Sequence, residues 1–157
     1  MATDPAESAL RAAFLTDLSV SGRKLRTLFD AIVRKRGLTL ARARLLLHLR
    51  QHGATRQGEL ALVLELEHPT VVRLLDGLEK QGLIARHAVD GDRRAKLVAI
   101  TEAAAPTVAE LEQLIAELRV ELLADIAEDD LATASRVLAR LVQSIEAMGA
   151  APRSHER

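Results

Sequence analysis

Apolar residues return every three or four positions along most of this chain, and that period predicts helices. Leu10, Phe14, Leu18, Leu25, Leu28, Phe29, Ile32 and Val33 mark one long helix from about Ser8 to Lys35, stopped by Gly37. Ser19 to Gly22 weaken it and are where it would bend; residues 1–7 read as frayed. Thr39 suits the N-cap of a second helix, which runs to about Gln51 and ends at Gly53. Leu45, Leu46 and Leu49 form its core face, and Arg42, Arg44 and Arg50 its polar content. Glu59, Leu60, Ala61, Val63 and Leu64 suit a short third helix, with Thr55 ahead of it as a short strand or a cap.

A fourth helix should open at Pro69. Proline fixes φ and lacks an N–H, so it fits the first helical position and turns His68 away from helix. Val71, Leu74, Leu75 and Leu78 make its apolar stripe, and Gly82 after Lys80-Gln81 ends it. Two short strands follow, around Leu83-Ile84-Arg86 and around Lys96, Val98 and Ile100, joined at the turn formers Asp90-Gly91-Asp92. Thr101 is the expected N-cap of a fifth helix, with Pro106 kinking its start. Its stripe is Val108, Leu111, Ile115, Leu118, Leu122 and Ile126, widened by Leu114 and Leu123. Asp129 or Asp130 should cap a last helix whose inner face is Leu131, Ala134, Leu138, Leu141, Ile145 and Met148; residues 149–157 read as a disordered tail.

This order predicts a mainly α fold: a winged helix-turn-helix with a small β-hairpin wing and long N- and C-terminal dimerisation helices. One domain is expected over 1–157, with a DNA-binding lobe at 39–101 and a helical dimerisation lobe from 8–36 and 102–148. A winged helix-turn-helix lays its second helix in the DNA major groove. Pro69, Thr70 and Arg73 stand near the N-terminal end of that helix, where side chains meet base edges; arginine can bond guanine O6 and N7 together. Arg93 and Arg94 lie near the hairpin tip, suited to the negative potential of a narrow minor groove, with Asp92 close enough to hold one by an ion pair. Arg86 and Lys96 are expected as phosphate contacts or strand-edge charges. Arg56 and Gln57, near the start of the third helix, are expected at phosphate.

Composition adjusts this picture. Aromatic content is 1%, Phe14 and Phe29 alone, so the core must be aliphatic. Absence of cysteine excludes disulfides, thiolate chemistry and zinc–cysteine sites. No apolar run is long enough to span a membrane and no signal peptide is visible, so a cytoplasmic location is expected. Net charge is zero but unevenly spread: residues 1–53 carry ten basic and four acidic side chains, 54–101 seven of each, and 102–157 five and eleven. A neutral reading lobe must rely on a few placed arginines and helix N-termini.

His68-Pro69-Thr70-Val71-Val72-Arg73-Leu74-Leu75-Asp76-Gly77-Leu78-Glu79-Lys80-Gln81-Gly82-Leu83-Ile84 and Asp92-Arg93-Arg94-Ala95-Lys96, leading to Ile100-Thr101-Glu102, resemble MarR-type transcriptional regulators, nearest the SlyA branch. The family's wing signature is matched by Asp92, Arg94, Ile100 and Thr101, and Arg93 is the extra arginine of that branch; either arginine could be the one that enters the groove. The resemblance covers roughly residues 8–148. It implies a homodimer interlocked through its first, fifth and sixth helices, double-stranded DNA as partner, and a pseudo-palindromic promoter site. It also implies release by a small aromatic or lipophilic anion bound between the dimer helices and the DNA-reading lobe. Arg42, Arg44 and His48, with Arg11 from the first helix, are candidates to line such a site for a carboxylate, or are ordinary solvated cations.

Two other functions fit parts of the chain. The neutral charge of residues 54–101 would suit a dimeric interaction scaffold that binds no DNA. His48 and His52, four apart on one helix, could hold a metal and make a metal-responsive regulator. No cofactor is expected. No phosphate loop, nucleophile elbow or His-Glu-x-x-His stands in the sequence, which argues against an enzyme.

Overall fold

The computed structural model describes residues 4–89 and 92–150, with the side chains of Asp92, Arg93, Arg94 and Ala150 outside that description. Its elements are α1 (Pro5–Arg34), α2 (Leu40–His52), β1 (Thr55–Arg56), α3 (Gln57–Leu64), α4 (His68–Lys80), β2 (Ile84–Val89), β3 (Asp92–Ile100), α5 (Ala105–Leu123) and α6 (Glu128–Ala150). The strands form one antiparallel sheet in the order β1-β3-β2. This is the mainly helical winged helix-turn-helix expected from the sequence period. The chain divides into two compact units after Leu114, within α5.

The first unit is built on aliphatic side chains. Leu45, Leu46 and Leu49 from α2, Leu60 and Leu64 from α3, and Val71, Leu75 and Leu78 from α4 meet Ile84 and Val98 of the sheet. Val33 from the end of α1 and Val108 and Leu111 from α5 complete the cluster. No polar or charged side chain is buried in it among the described residues.

Helices α1, α3 and α4 stop in the same way. The N–H groups of Leu38, Leu66 and Leu83 donate back to the carbonyls of Val33, Ala61 and Leu78 at 3.2, 3.1 and 3.0 Å. Each turn needs one left-handed residue, and these are Gly37, Glu65 and Gly82, with φ of 72°, 57° and 72°. The leucine that follows each is thrown back onto the core. At position 65 a side chain sits where glycine is usual, and its carboxylate pairs with Arg26 and Arg44.

Several boundaries differ from the sequence expectation. Helix α1 begins at Pro5, because Asp4 Oδ1 accepts the Ala6 N–H at 3.1 Å and caps it. It runs unbroken through Ser19–Gly22; one glycine costs a helix about 1 kcal/mol, too little to break one this long. Helix α4 begins at His68, one residue before Pro69. Proline then falls inside the first turn, where Thr70 and Val71 supply the N–H groups that reach the Glu67 carbonyl at 2.9 and 3.1 Å. Thr101 caps no helix with its side chain. Its hydroxyl donates to the Gly82 carbonyl at 2.6 Å, tying the end of β3 to the stop of α4, and a short 3₁₀ turn (Glu102–Ala104) intervenes before α5. Pro106 therefore stands in the first turn of α5, where its missing N–H costs nothing. Ile126 lies beyond α5, in the connection to α6.

In the second unit, α6 starts at Glu128 with Asp129 and Asp130 in its first turn; neither is the cap. Three carboxylates there oppose the positive end of the helix dipole. The helix continues to Ala150, past the point where a tail was expected. The expected turn residues Asp90 and Gly91, and residues 151–157 of the expected tail, lie outside the described residues.

Candidate nucleic-acid interface

Helix α4 has two unlike faces. Val71, Leu75 and Leu78 are fully buried, and burying them fixes what the opposite side presents. Pro69, Thr70 and Arg73 are all exposed there, within the first two turns. Among the described residues no ion pair or hydrogen bond engages the Arg73 guanidinium. A free planar fork of N–H donors near a helix N-terminus can meet a guanine edge or a phosphate.

Beside this face lies a shallow depression of about 430 Å³ lined by Arg56, Gln57, Gly58, Glu59, His68, Ala95 and Lys96. It forms because β1 pairs with β3, Arg56 against Leu97, which sets the start of α3 beside the wing strand. No side chain caps α3, so its first N–H groups remain available to an anion. Three residues expected at phosphate, Arg56, Gln57 and Lys96, are thus brought together. His68 joins them unanticipated; its exposure follows from its place at the start of α4.

Arg86 has different partners from those expected. Its Nε donates to Glu79 Oε2 at 3.0 Å, its Nη2 bridges that same oxygen and Asp76 Oδ1, the latter at 2.7 Å, and its backbone N–H donates to Glu79 Oε1 at 3.2 Å. Asp76 and Glu79 stand three apart on α4, so both face β2. The hydrogen bond from Arg86 holds the Glu79 carboxyl below its ordinary pKa despite some desolvation, and the same bond strengthens the charge on Arg86. The spacing of two carboxylates at i and i+3 opposite an arginine was visible in the sequence, but only the packing of β2 on α4 joins them.

These pairs also bear on the neutral charge of the reading lobe. Asp76 and Glu79 are offset by Arg86, and Glu65 by Arg26 at 3.0 Å and Arg44 at 4.0 Å. Three of its carboxylates are thereby committed to partners, while Arg56, Arg73 and Lys96 stay exposed. Arg93 and Arg94, the expected minor-groove residues, and their expected partner Asp92, have side chains outside the described residues; only their backbone in β3 is described.

The cationic effector lining expected from Arg11, Arg42, Arg44 and His48 is not assembled within this unit. Arg11 pairs with Glu7 one turn back on α1. It stands about 30 Å along the helix from Asp30, at ~1.5 Å per residue, and Asp30 is the α1 residue whose carboxylate receives the first N–H of α2. Arg44 donates to the carbonyls of Val63 and Leu64 at 2.9 and 3.3 Å, satisfying the open end of α3. Arg42 lies over Gly77 of α4, on another side of α2. His48 faces the Thr55 hydroxyl at 3.4 Å and its ring lies 4.5 Å from that of His52. Burial first, and His52 second, lower the pKa of His48. No group of three or more His, Cys, Asp or Glu that could hold a metal occurs among the described residues.

Residues 36–95 match a family model described as MarR family. The chain is 40% identical to a solved structure described as transcriptional regulator PA3341, with a TM-score of 0.77 over 85% of this chain and 98% of that one. It is 27% identical to a MarR family transcriptional regulator from Silicibacter pomeroyi, with a TM-score of 0.76 over 90% of this chain and 93% of that one. A likeness of fold extends to MepR of S. aureus, solved as a DNA complex, at 22% identity and a TM-score of 0.69 over 82% of this chain and 94% of that one.

Proposed function

We propose, for a chain that belongs to the MarR family of DNA-binding transcriptional regulators, that it acts as a homodimer on a pseudo-palindromic promoter site. As a member of that family it is a regulator and not an enzyme. In the proposed complex α4 enters the major groove with Thr70 and Arg73 at base edges and Pro69 at the groove wall. Arg56, Gln57 and Lys96 take phosphate beside it, and Arg93 or Arg94 reaches the flanking minor groove. The single observation that supports this most is the exposed, unengaged Arg73 on the outer face of a helix whose inner face is fully buried. That MepR was solved with DNA supports the same use of the fold. The Arg93-Arg94 pair favours the SlyA-like branch. The role sets the protein in the cytoplasm; no helix among the described residues is long and apolar enough to cross a membrane.

Release by a small aromatic or lipophilic anion is the regulation that the family resemblance supports. With Arg44 engaged by α3 and Arg11 by Glu7, the four-cation lining does not hold its carboxylate within one chain. A ligand need only prefer a DNA-incompetent dimer by about 1.4 kcal/mol to weaken binding tenfold.

Fluorescence anisotropy against DNA upstream of the protein's own gene, beside a scrambled duplex and over a salt series, tests the reading. Dissociation constants on the order of 10⁻⁸ M or tighter for the native duplex, with a steep salt slope, are expected. Arg73→Ala should cost about 1–3 kcal/mol of that binding, a tenfold to hundredfold loss. Weak and equal binding to both duplexes, unchanged by Arg73→Ala, would sink it.

A further inference from the structure

Arg86 sits at the crossing point of the reading lobe. In the sheet it pairs with Val98, which pairs on its other side with Thr55, so the three strands meet at its level. Beyond it β2 and β3 run out together as far as the Val89–Asp92 pairing. Its side chain is 22% exposed, less than Asp76 at 56% or Glu79 at 38%, so the cation is the more enclosed member. Glu79 takes both the backbone N–H and the side chain of Arg86, which fixes the strand as well as the guanidinium. Asp76 is three residues beyond the exposed Arg73 on the same helix.

We propose that Arg86 is a positioning residue: its fork to Asp76 and Glu79 clamps the wing to α4 and sets the span between the base-reading face and the wing tip. The inference rests on the DNA-binding reading above. A guanidinium held by two carboxylates along one helix face fixes direction as well as distance, which a single ion pair does not. The wing and α4 address adjacent grooves, so both engage together only if that span matches the duplex. A wing free to pivot still meets phosphate, which is everywhere along the backbone. It no longer meets its groove in register with Arg73. Loss of the clamp therefore lowers discrimination between sequences and leaves sequence-independent affinity in place.

Glu79→Gln separates this from direct contact of Arg86 with DNA. The variant removes a negative charge from the lobe and loosens a cation, so a contact role for Arg86 predicts equal or tighter binding. The clamp predicts the reverse for the specific duplex. The measurement uses the full chain, with a duplex recovered by that chain from a random pool and a scrambled duplex of equal length. The ratio of the two affinities is read at several salt concentrations. We expect Glu79→Gln to lower the ratio about tenfold, with scrambled-duplex binding unchanged or tighter. Arg86→Lys, which keeps the charge and loses the fork, should fall in the same way. An intact ratio in Glu79→Gln overturns the clamp. Circular dichroism checks folding; if Glu79→Gln does not fold, Asp76→Asn, which removes only the outer arm, takes its place with the same expected direction. Failure of the wild-type chain to enrich any duplex overturns the DNA-binding reading itself, and a wild type that discriminates no better than the folded carboxylate variant overturns the clamp alone.

Discussion

Two glycines, Gly77 within α4 and Gly82 in the turn that ends it, face opposite physical demands. Gly77 lies mid-helix with ordinary helical φ, and a Cβ built there would stand 3.1 Å from Arg42 Nη2. That neighbour is the far end of a flexible side chain, which can move a few tenths of an ångström. Gly77→Ala should therefore raise stability by about 0.5–1 kcal/mol, the ordinary gain of alanine over glycine in a helix interior. Urea denaturation measures it, and a lower midpoint would mean that Arg42 cannot yield. Gly82 has open space around it but φ of 72°, so Gly82→Ala should cost about 1 kcal/mol through the backbone alone. His48 adds a pH dependence. Its pKa is lowered by burial and then by His52, so the folded protein takes up this proton less readily than the unfolded chain. Its contribution is fully present above about pH 6.5, the ordinary histidine value, and is lost as pH falls through the lowered value. Thermal melting between pH 5 and 7.5 should show stability falling on the acid side, and His48→Gln should flatten that limb.

At the scale of elements, the sequence was most legible where one physical rule acted alone. The stripes Val71-Leu75-Leu78 and Leu45-Leu46-Leu49 named their helices and their buried sides because the core has no aromatic or polar alternative there. Thr39 was readable as a cap because its hydroxyl has no competing partner; it accepts the Arg42 N–H at 3.4 Å. Thr101 carries the same local signal but caps no helix, because a carbonyl nineteen residues earlier in the chain, that of Gly82, folds back beside it. The candidate DNA face was legible for Pro69, Thr70 and Arg73, whose exposure follows from helical period. Arg86 was not: its role depends on β2 packing over Asp76 and Glu79, which no local pattern states. The four expected effector-lining cations do not meet within one chain, for a related reason. Cations spaced along α1 and α2 were grouped by element, while helix length and the direction of each side chain separate them. Arg44 in particular serves α3, where Glu65 holds a left-handed φ of 57° between Arg26 and Arg44.

For the whole molecule, the decisive feature is apolar surface with no cover in one chain. On α1, Leu10, Phe14, Leu15, Leu25 and Leu28 are exposed, and only Val33 of that helix is buried. On α6, Val137, Leu138, Val142, Ile145 and Met148 are exposed, a stripe at helical spacing along 23 residues. Single exposed leucines are ordinary, but contiguous stripes of this length mark interfaces. Burying one such side chain contributes about 1.5–3 kcal/mol, and two-fold symmetry would count each substitution twice. We therefore expect sedimentation equilibrium at micromolar concentration to give about twice the chain mass of 17.1 kDa. Leu138→Asp combined with Ile145→Asp should shift that mass to the monomer. It should also weaken binding to the specific duplex far more than to a half-site, since each monomer keeps its own α4 and wing. A wild-type chain that sediments as a monomer at these concentrations would leave the stripes unexplained and remove the dimer from the proposed complex. A dimer that survives both aspartates would show that the contact is made elsewhere, and the exposed face of α1 would then be the place to substitute.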